Sequence, residues 1–188
     1  MIAVYVVIGL VVIFLFLFVG TFNSLVRLRN QVRNAWAQID VQLKRRHDLI
    51  PNLVETVKGY MEFERATLEA VTNARNLAEK ARGTGAENQA RAENELTGAL
   101  TRLLAVVENY PDLKANKNFL ALQEELTSTE NKIAFSRQFY NDSVLGYNNR
   151  TQMFPSNVVA GIAGFKPGEF FEVTVLEERE APRVSFGR

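Results

Sequence analysis

Hydrophobic positions divide the chain into one unbroken apolar run, four amphipathic stretches and a tail of different grammar. Ile2 to Val19 is continuously apolar, and the run extends through Gly20 and Thr21 to Phe22. Leu25, Leu28, Val32, Trp36, Ile39 and Leu43 then recur at spacings of three and four, the period of one helical face. Pro51 interrupts this pattern, which resumes with Val54, Val57 and Met61. The spacing predicts a helical hairpin whose two helices meet at His47 to Pro51, with Asp48 as cap and Pro51 in the first turn of the second helix. Leu68, Val71, Ala74 and Ala78 continue that helix to Gly83-Thr84-Gly85, which reads as a stop and turn. Leu96, Leu100, Leu103, Leu104 and Val107 mark a third helix, closed by Tyr110-Pro111-Asp112. A fourth runs through Phe119, Leu122, Leu126, Thr129, Ile133, Ser136, Tyr140, Val144 and Tyr147, and Phe135 and Phe139 add a second stripe to it. An apolar side this wide implies contact with two neighbours or with another subunit.

Four such segments, at about 23–47, 52–82, 86–110 and 116–150, joined by short connections, predict an all-α domain over 23–150. The expected architecture is an antiparallel up-and-down four-helix bundle. Beyond Arg150, Pro155, Gly161, Gly164, Pro167 and Gly168 break up the tail, 151–188. Within it Phe170 to Leu176 alternates like a short strand, and Arg183 to Phe186 reads as another. A two-stranded element is marginal alone, so the tail is expected to pair, for instance with the same tail of a second protomer.

About 20 apolar residues cross the roughly 30 Å hydrocarbon core of a bilayer, so residues 1–22 predict a transmembrane anchor. A cleaved signal peptide fits less well. No Lys or Arg precedes the run, the run is longer than a signal core of about 7–15 residues, and Val19-Gly20-Thr21 is a poor cleavage site. Arg27, Arg29 and Arg33 lie just past the span, which by the positive-inside rule leaves the N-terminus outside and the domain in the cytoplasm. No Gly or Pro break separates Phe22 from Trp36, so the anchor is expected to run straight into the first helix as a stiff stalk.

Composition narrows the chemistry. The 22 Lys and Arg and 21 Asp and Glu all lie after residue 22, and a net charge of +1 gives no support for nucleic-acid binding. With no Cys and a single His, thiolate metal sites, thiol nucleophiles and paired Glu-x-x-His di-iron sites drop out. Asn88 stands where a dinucleotide-binding loop after Gly83 and Gly85 requires Gly. No hydrolase or P-loop motif occurs, so no catalytic, cofactor or metal residue is assigned.

Two surfaces remain. Trp36, Asp40, Lys44, Arg45, Arg46 and Asp48 cluster at the predicted corner as a candidate interaction site. Lipid attraction is not expected there. An upright helix lifts the Lys44-Arg45-Arg46 run about 35 Å above the membrane, several Debye lengths at physiological salt. Phe135, Phe139, Phe165, Phe170, Phe171, Val173 and Val175 form a candidate self-association surface. The expected function is a membrane-anchored, non-enzymatic scaffold that forms a homo-oligomer. The alternative is an adaptor docking an envelope protease or other membrane protein through the Lys44 to Asp48 corner.

The chain resembles the LemA family of bacterial membrane proteins. The resemblance lies in Phe22-Asn23-Ser24-Leu25-Val26, in the long stretch from Ala35-Trp36-Ala37-Gln38 through Leu43-Lys44-Arg45-Arg46-His47-Asp48-Leu49-Ile50-Pro51 to Val54, in Val57-Lys58-Gly59-Tyr60, and in Tyr147-Asn148 with Phe154-Pro155 after it. It covers nearly the whole chain. It implies a single-pass anchor with the N-terminus outside and an antiparallel four-helix bundle inside, and it supplies no established reaction.

Overall fold

The apolar run and the first amphipathic stripe form one continuous helix, α1, spanning Ile2–Lys58. Its 57 residues extend about 85 Å at roughly 1.5 Å per residue. The computed structural model describes residues 1–61 and 64–172. After α1 come α2 (Arg65–Lys80), α3 (Ala86–Val107), the single turn α4 (Pro111–Lys114), α5 (Lys117–Gln152) and α6 (Ser156–Ala163). Among the described residues there is no strand.

The corner expected at His47 to Pro51 does not exist. Pro51 lies inside α1, and the next helix starts only at Arg65. The predicted helices 23–47 and 52–82 are therefore corrected to 2–58 and 65–80. A proline in a helix interior removes one backbone hydrogen bond and crowds the carbonyl four residues back, a cost of about 3 kcal/mol or more. Packing overrides it here. Ile39, Leu43, Arg46, Ile50, Leu53 and Val57 recur at alternating four and three and are all buried, so one uninterrupted seam crosses the proline.

The third and fourth predicted helices correspond to α3 and α5, with α4 between them. Gly83 and Gly85 adopt φ of +79° and +112° in the turn between α2 and α3, a region that side chains with a Cβ rarely enter. The Asn116 side chain caps α5, accepting from the amides of Asn118 at 2.9 Å and Phe119 at 3.1 Å.

The core is tiered along α1. Farthest from the apolar run, Ile50, Leu53, Val57 and Met61 share a cluster with Leu68 and Val71 of α2, Leu96, Leu100 and Leu103 of α3, Leu113 and Phe119. In the middle, Ala35, Ile39 and Leu43 meet Ala86, Ala90, Ile133, Tyr140, Val144 and Phe171. Nearest the run, Leu25 meets Val159 and Ala160 of α6, with Phe18 and Phe165 against them. α5 lies antiparallel to α1, as the pairing of Gln31 with Ser143, Trp36 with Tyr140 and Arg45 with Glu125 shows. Helices α2 and α3 cover α1 from about Ala35 outward. Along the proximal part, α6 and the extended segment after it take their place.

Candidate functional site

The seam of α1 contains two residues that do not belong in an apolar core. Arg46 occupies a core position between Leu43 and Ile50 and is only 1% exposed, and His47 beside it is equally enclosed. Burying a guanidinium costs several kcal/mol unless it is paired and hydrogen-bonded. Arg46 gathers partners from two helices. Its Nη1 donates to Thr97 Oγ1 of α3 at 3.0 Å and to Glu130 Oε2 of α5 at 2.7 Å, and its Nη2 donates to the Glu93 carboxylate and to the Glu93 carbonyl at 3.3 Å. One side chain of α1 thereby clasps α3 to α5.

Glu93 has a second basic neighbour, with His47 Nε2 3.0 Å from its Oε1. That contact is not aligned as a hydrogen bond, and among the described residues Glu93 Oε1, Arg46 Nε, both His47 ring nitrogens and Gln89 Nε2 are buried without a hydrogen-bond partner. Burial alone pushes the Glu93 carboxyl up. His47 close by and the charge and hydrogen bonds of Arg46 outweigh it and hold Glu93 below its ordinary value of 4.5. Glu93 is thus an ionised carboxylate in the interior. Beside the clasp a cavity of about 210 Å³ lies between α3 and α5, lined by Arg46, Thr97 and Glu130 and floored by Leu53, Leu100 and Leu126.

The other residues assigned to the corner disperse around a straight helix. Asp40 is held by Arg82, whose Nη2 reaches both carboxylate oxygens at 2.9 Å. Arg45 pairs with Glu125 of α5. Trp36 packs edge-on against Tyr140, with ring centroids 5.2 Å apart, and against Phe171 at 5.8 Å. Lys44 and Asp48 alone of the set face solvent without a part in these contacts. The candidate corner is therefore an internal brace, not one surface.

The candidate self-association residues also separate. Phe171 is fully buried beneath Trp36 and under Arg137, whose guanidinium sits 5.0 Å from its ring centre. Phe165 packs against Phe22 at 5.6 Å with Arg29 over it. Phe171 is therefore interior and Phe165 is partly covered by its own chain, which corrects their place on one outward surface with Phe135. Phe170 is at the margin of exposure, while Phe135 at 72% and Phe139 at 43% point outward from α5. Val173 and Val175 lie outside the described residues, as does most of the strand-like stretch, and Phe170 to Glu172 form no strand.

A repeat along α5 holds the tail. Tyr147 Oη donates to the Lys166 carbonyl at 2.9 Å, and Asn148 grips Gly168 at both ends, accepting from its amide at 2.7 Å and donating to its carbonyl at 3.0 Å. Two turns earlier Tyr140 Oη donates to the Glu169 carbonyl at 2.8 Å, and Asn141 grips Phe171 in the same way at 2.9 and 3.5 Å. The match is metric. Seven helical residues advance about 10.5 Å, and three residues of extended chain advance about 10 Å. Burial, with the Glu169 charge, pushes the Tyr140 phenol up to about 12, so it remains a donor.

A family model described as the LemA family matches residues 35–186. The chain belongs to the LemA family. It is 27% identical to Protein LemA of Metamycoplasma hominis over 92% of this chain and 76% of that protein. It is 25% identical to Magnetosome protein MamQ 2 and to Magnetosome protein MamQ 1 of Paramagnetospirillum magneticum, over 86% of this chain and 68% of each. The span matched to the LemA family takes in the Arg46 clasp and the Tyr-Asn repeat.

The sequence of this LemA-family chain marks Tyr147-Asn148 only through the resemblance and Tyr140 only as an apolar-stripe position, and it singles out none of Glu93, Thr97, Glu130 and Asn141. Signals for them are present. Glu93 falls on the buried register of α3 between Ala90 and Leu96, and Arg46 falls on that of α1, so two opposite charges sit at core positions of facing helices. The two Tyr-Asn pairs stand seven residues apart on one helix.

Proposed function

We propose that this LemA-family chain is a membrane-anchored, non-enzymatic scaffold that self-associates into a homo-oligomer at the cytoplasmic face of the bacterial inner membrane. α1 crosses the membrane once with its N-terminus outside, and α1, α2, α3 and α5 form an antiparallel up-and-down four-helix bundle. The anchor is supported by α1, which is long and apolar enough to cross a membrane and whose most apolar window has no residue buried within the chain. Arg27, Arg29 and Arg33 just beyond it supply the charge bias for the orientation.

The observation that carries self-association is the outward pair Phe135 and Phe139, one turn apart on the side of α5 away from its buried residues Ile133, Tyr140 and Val144. Leu120 and Leu145 are half exposed on the same helix. Large exposed aromatic residues adjacent on one helix face mark an interaction surface. Docking through the Lys44 to Asp48 corner is not carried forward, since Arg45 and Arg46 are engaged inside the chain.

Size-exclusion chromatography with light scattering tests the reading on the full chain in detergent and in lipid discs. An oligomer at micromolar concentration that falls toward monomer in the Phe135→Ser/Phe139→Ser variant is expected. A monomer from the unaltered chain in both settings overturns it.

A further inference from the structure

The antiparallel register between α1 and α5 brings the end of α5, Gln152, level with Phe22, where the apolar run of α1 stops. The segment after α5 therefore sits at the height of the membrane boundary, on the reading that α1 is the anchor. Contacts of α6 give the same height: its Val159 and Ala160 pack on Leu25, with Phe18 of the run against the same cluster.

From Thr151 to Phe165 the chain has no charged side chain. α6 uses one side of this segment inward and leaves the other uncovered. Phe154 is 82% exposed, Val158 49% and Ile162 69%, at successive intervals of four, and Met153 beside them is 63% exposed. A soluble domain rarely presents so apolar a face to water. The charges around it have one sign. Arg27, Arg29, Arg150 and Lys166 are exposed at this end, and no acidic residue occurs between the N-terminus and Asp40 on α1 or between Asp142 and Glu169 around α6.

We infer that α6 is a second membrane contact. It lies in the bilayer interface beside α1, with Phe154, Val158 and Ile162 among the acyl chains and Arg27, Arg29, Arg150 and Lys166 nearest the anionic headgroups. An apolar helix face flanked by Lys and Arg is the pattern of an interfacial helix, and apolar area and cationic flank both add to its affinity for an anionic surface. The anchor and α6, being separate in sequence and adjacent in space, then fix the tilt of the domain above the bilayer. The occupant of this face is lipid, and its continuity with the apolar run is what distinguishes it from the outward face of α5.

The chain has no cysteine, so single cysteines report one site each. Phe16→Cys, Ile162→Cys and Phe135→Cys variants, labelled with an environment-sensitive fluorophore, are reconstituted in vesicles of phosphatidylcholine and phosphatidylglycerol containing lipids spin-labelled at shallow or deep positions. Strong quenching at Phe16→Cys, quenching by the shallow label at Ile162→Cys, and none at Phe135→Cys is the expected result. Quenching at Phe16→Cys with none at Ile162→Cys overturns the interfacial role of α6 and leaves the anchor intact. No quenching at Phe16→Cys overturns the anchor itself. Replacing phosphatidylglycerol with phosphatidylcholine is expected to reduce quenching at Ile162→Cys at least twofold, and equal quenching in both removes the anionic headgroups from the proposal.

Discussion

The Nε of Arg75 on α2 donates at 2.8 Å to the carbonyl of His47 on α1. That carbonyl stands four residues before Pro51, which has no N–H to offer it. A side chain from the neighbouring helix thus replaces the one backbone bond that proline removes, and the same guanidinium is steadied by Glu79 at 3.1 and 3.2 Å. The contact ties α2 to α1 at the one place where α1 is weakened.

Arg75→Ala is therefore expected to destabilise the fold by about 2 kcal/mol, the scale of a charge-assisted hydrogen bond to a buried acceptor. In a Pro51→Ala background the new amide satisfies His47, and the cost of Arg75→Ala is expected to fall by at least half. Denaturant titration of the four proteins measures the coupling. An equal cost in both backgrounds means that Arg75 acts elsewhere.

Arg46 is expected to be among the costliest single truncations in the chain. Arg46→Ala leaves Glu93 as an unpaired buried carboxylate and should cost about 3–5 kcal/mol. Removing both charges, as Arg46→Met with Glu93→Leu, is expected to restore most of that loss, because the pair repays its own desolvation only partly. A double variant as unstable as Arg46→Ala contradicts this, and thermal melts of the detergent-solubilised chain distinguish the outcomes.

Glu93 contributes to the acid response. Its folded value lies below its unfolded value, so its contribution is complete above the ordinary 4.5 and is lost as pH falls through the lowered folded value. The unaltered chain is expected to lose stability as pH drops below about 4.5, and Glu93→Gln to show a flatter dependence over the same range. Urea unfolding at a series of pH values checks it. Parallel curves for the two proteins would falsify the assignment.

The tail should detach in steps. Asn148→Ala removes both bonds to Gly168 and Asn141→Ala both bonds to Phe171, about 1 kcal/mol per bond at most. Amide exchange at Gly168 is expected to accelerate in the first variant and at Phe171 in the second, more than at α2 or α3. Uniform acceleration across the chain means that the tail is not a separable unit.

Helical periods, the uncharged run and the absence of Cys are legible in the sequence because each depends only on local spacing or on composition. Those features determine the all-helical class, the apolar first segment and its continuity into the domain. The turn expected at Pro51 fails for a physical reason: local propensity penalises proline in a helix, while the decision rests on a buried seam and on Arg75, both supplied by other helices. The same holds at the site. That Arg46 is a clasp, that Phe171 is interior, and that Tyr140-Asn141 and Tyr147-Asn148 grip the tail are relations between residues far apart along the chain or set by side-chain direction. No spacing along the chain encodes the partner of a charge. Sequence determined which faces are apolar and where charge is missing; only tertiary packing decided which of those charges and aromatics face one another and which stay exposed.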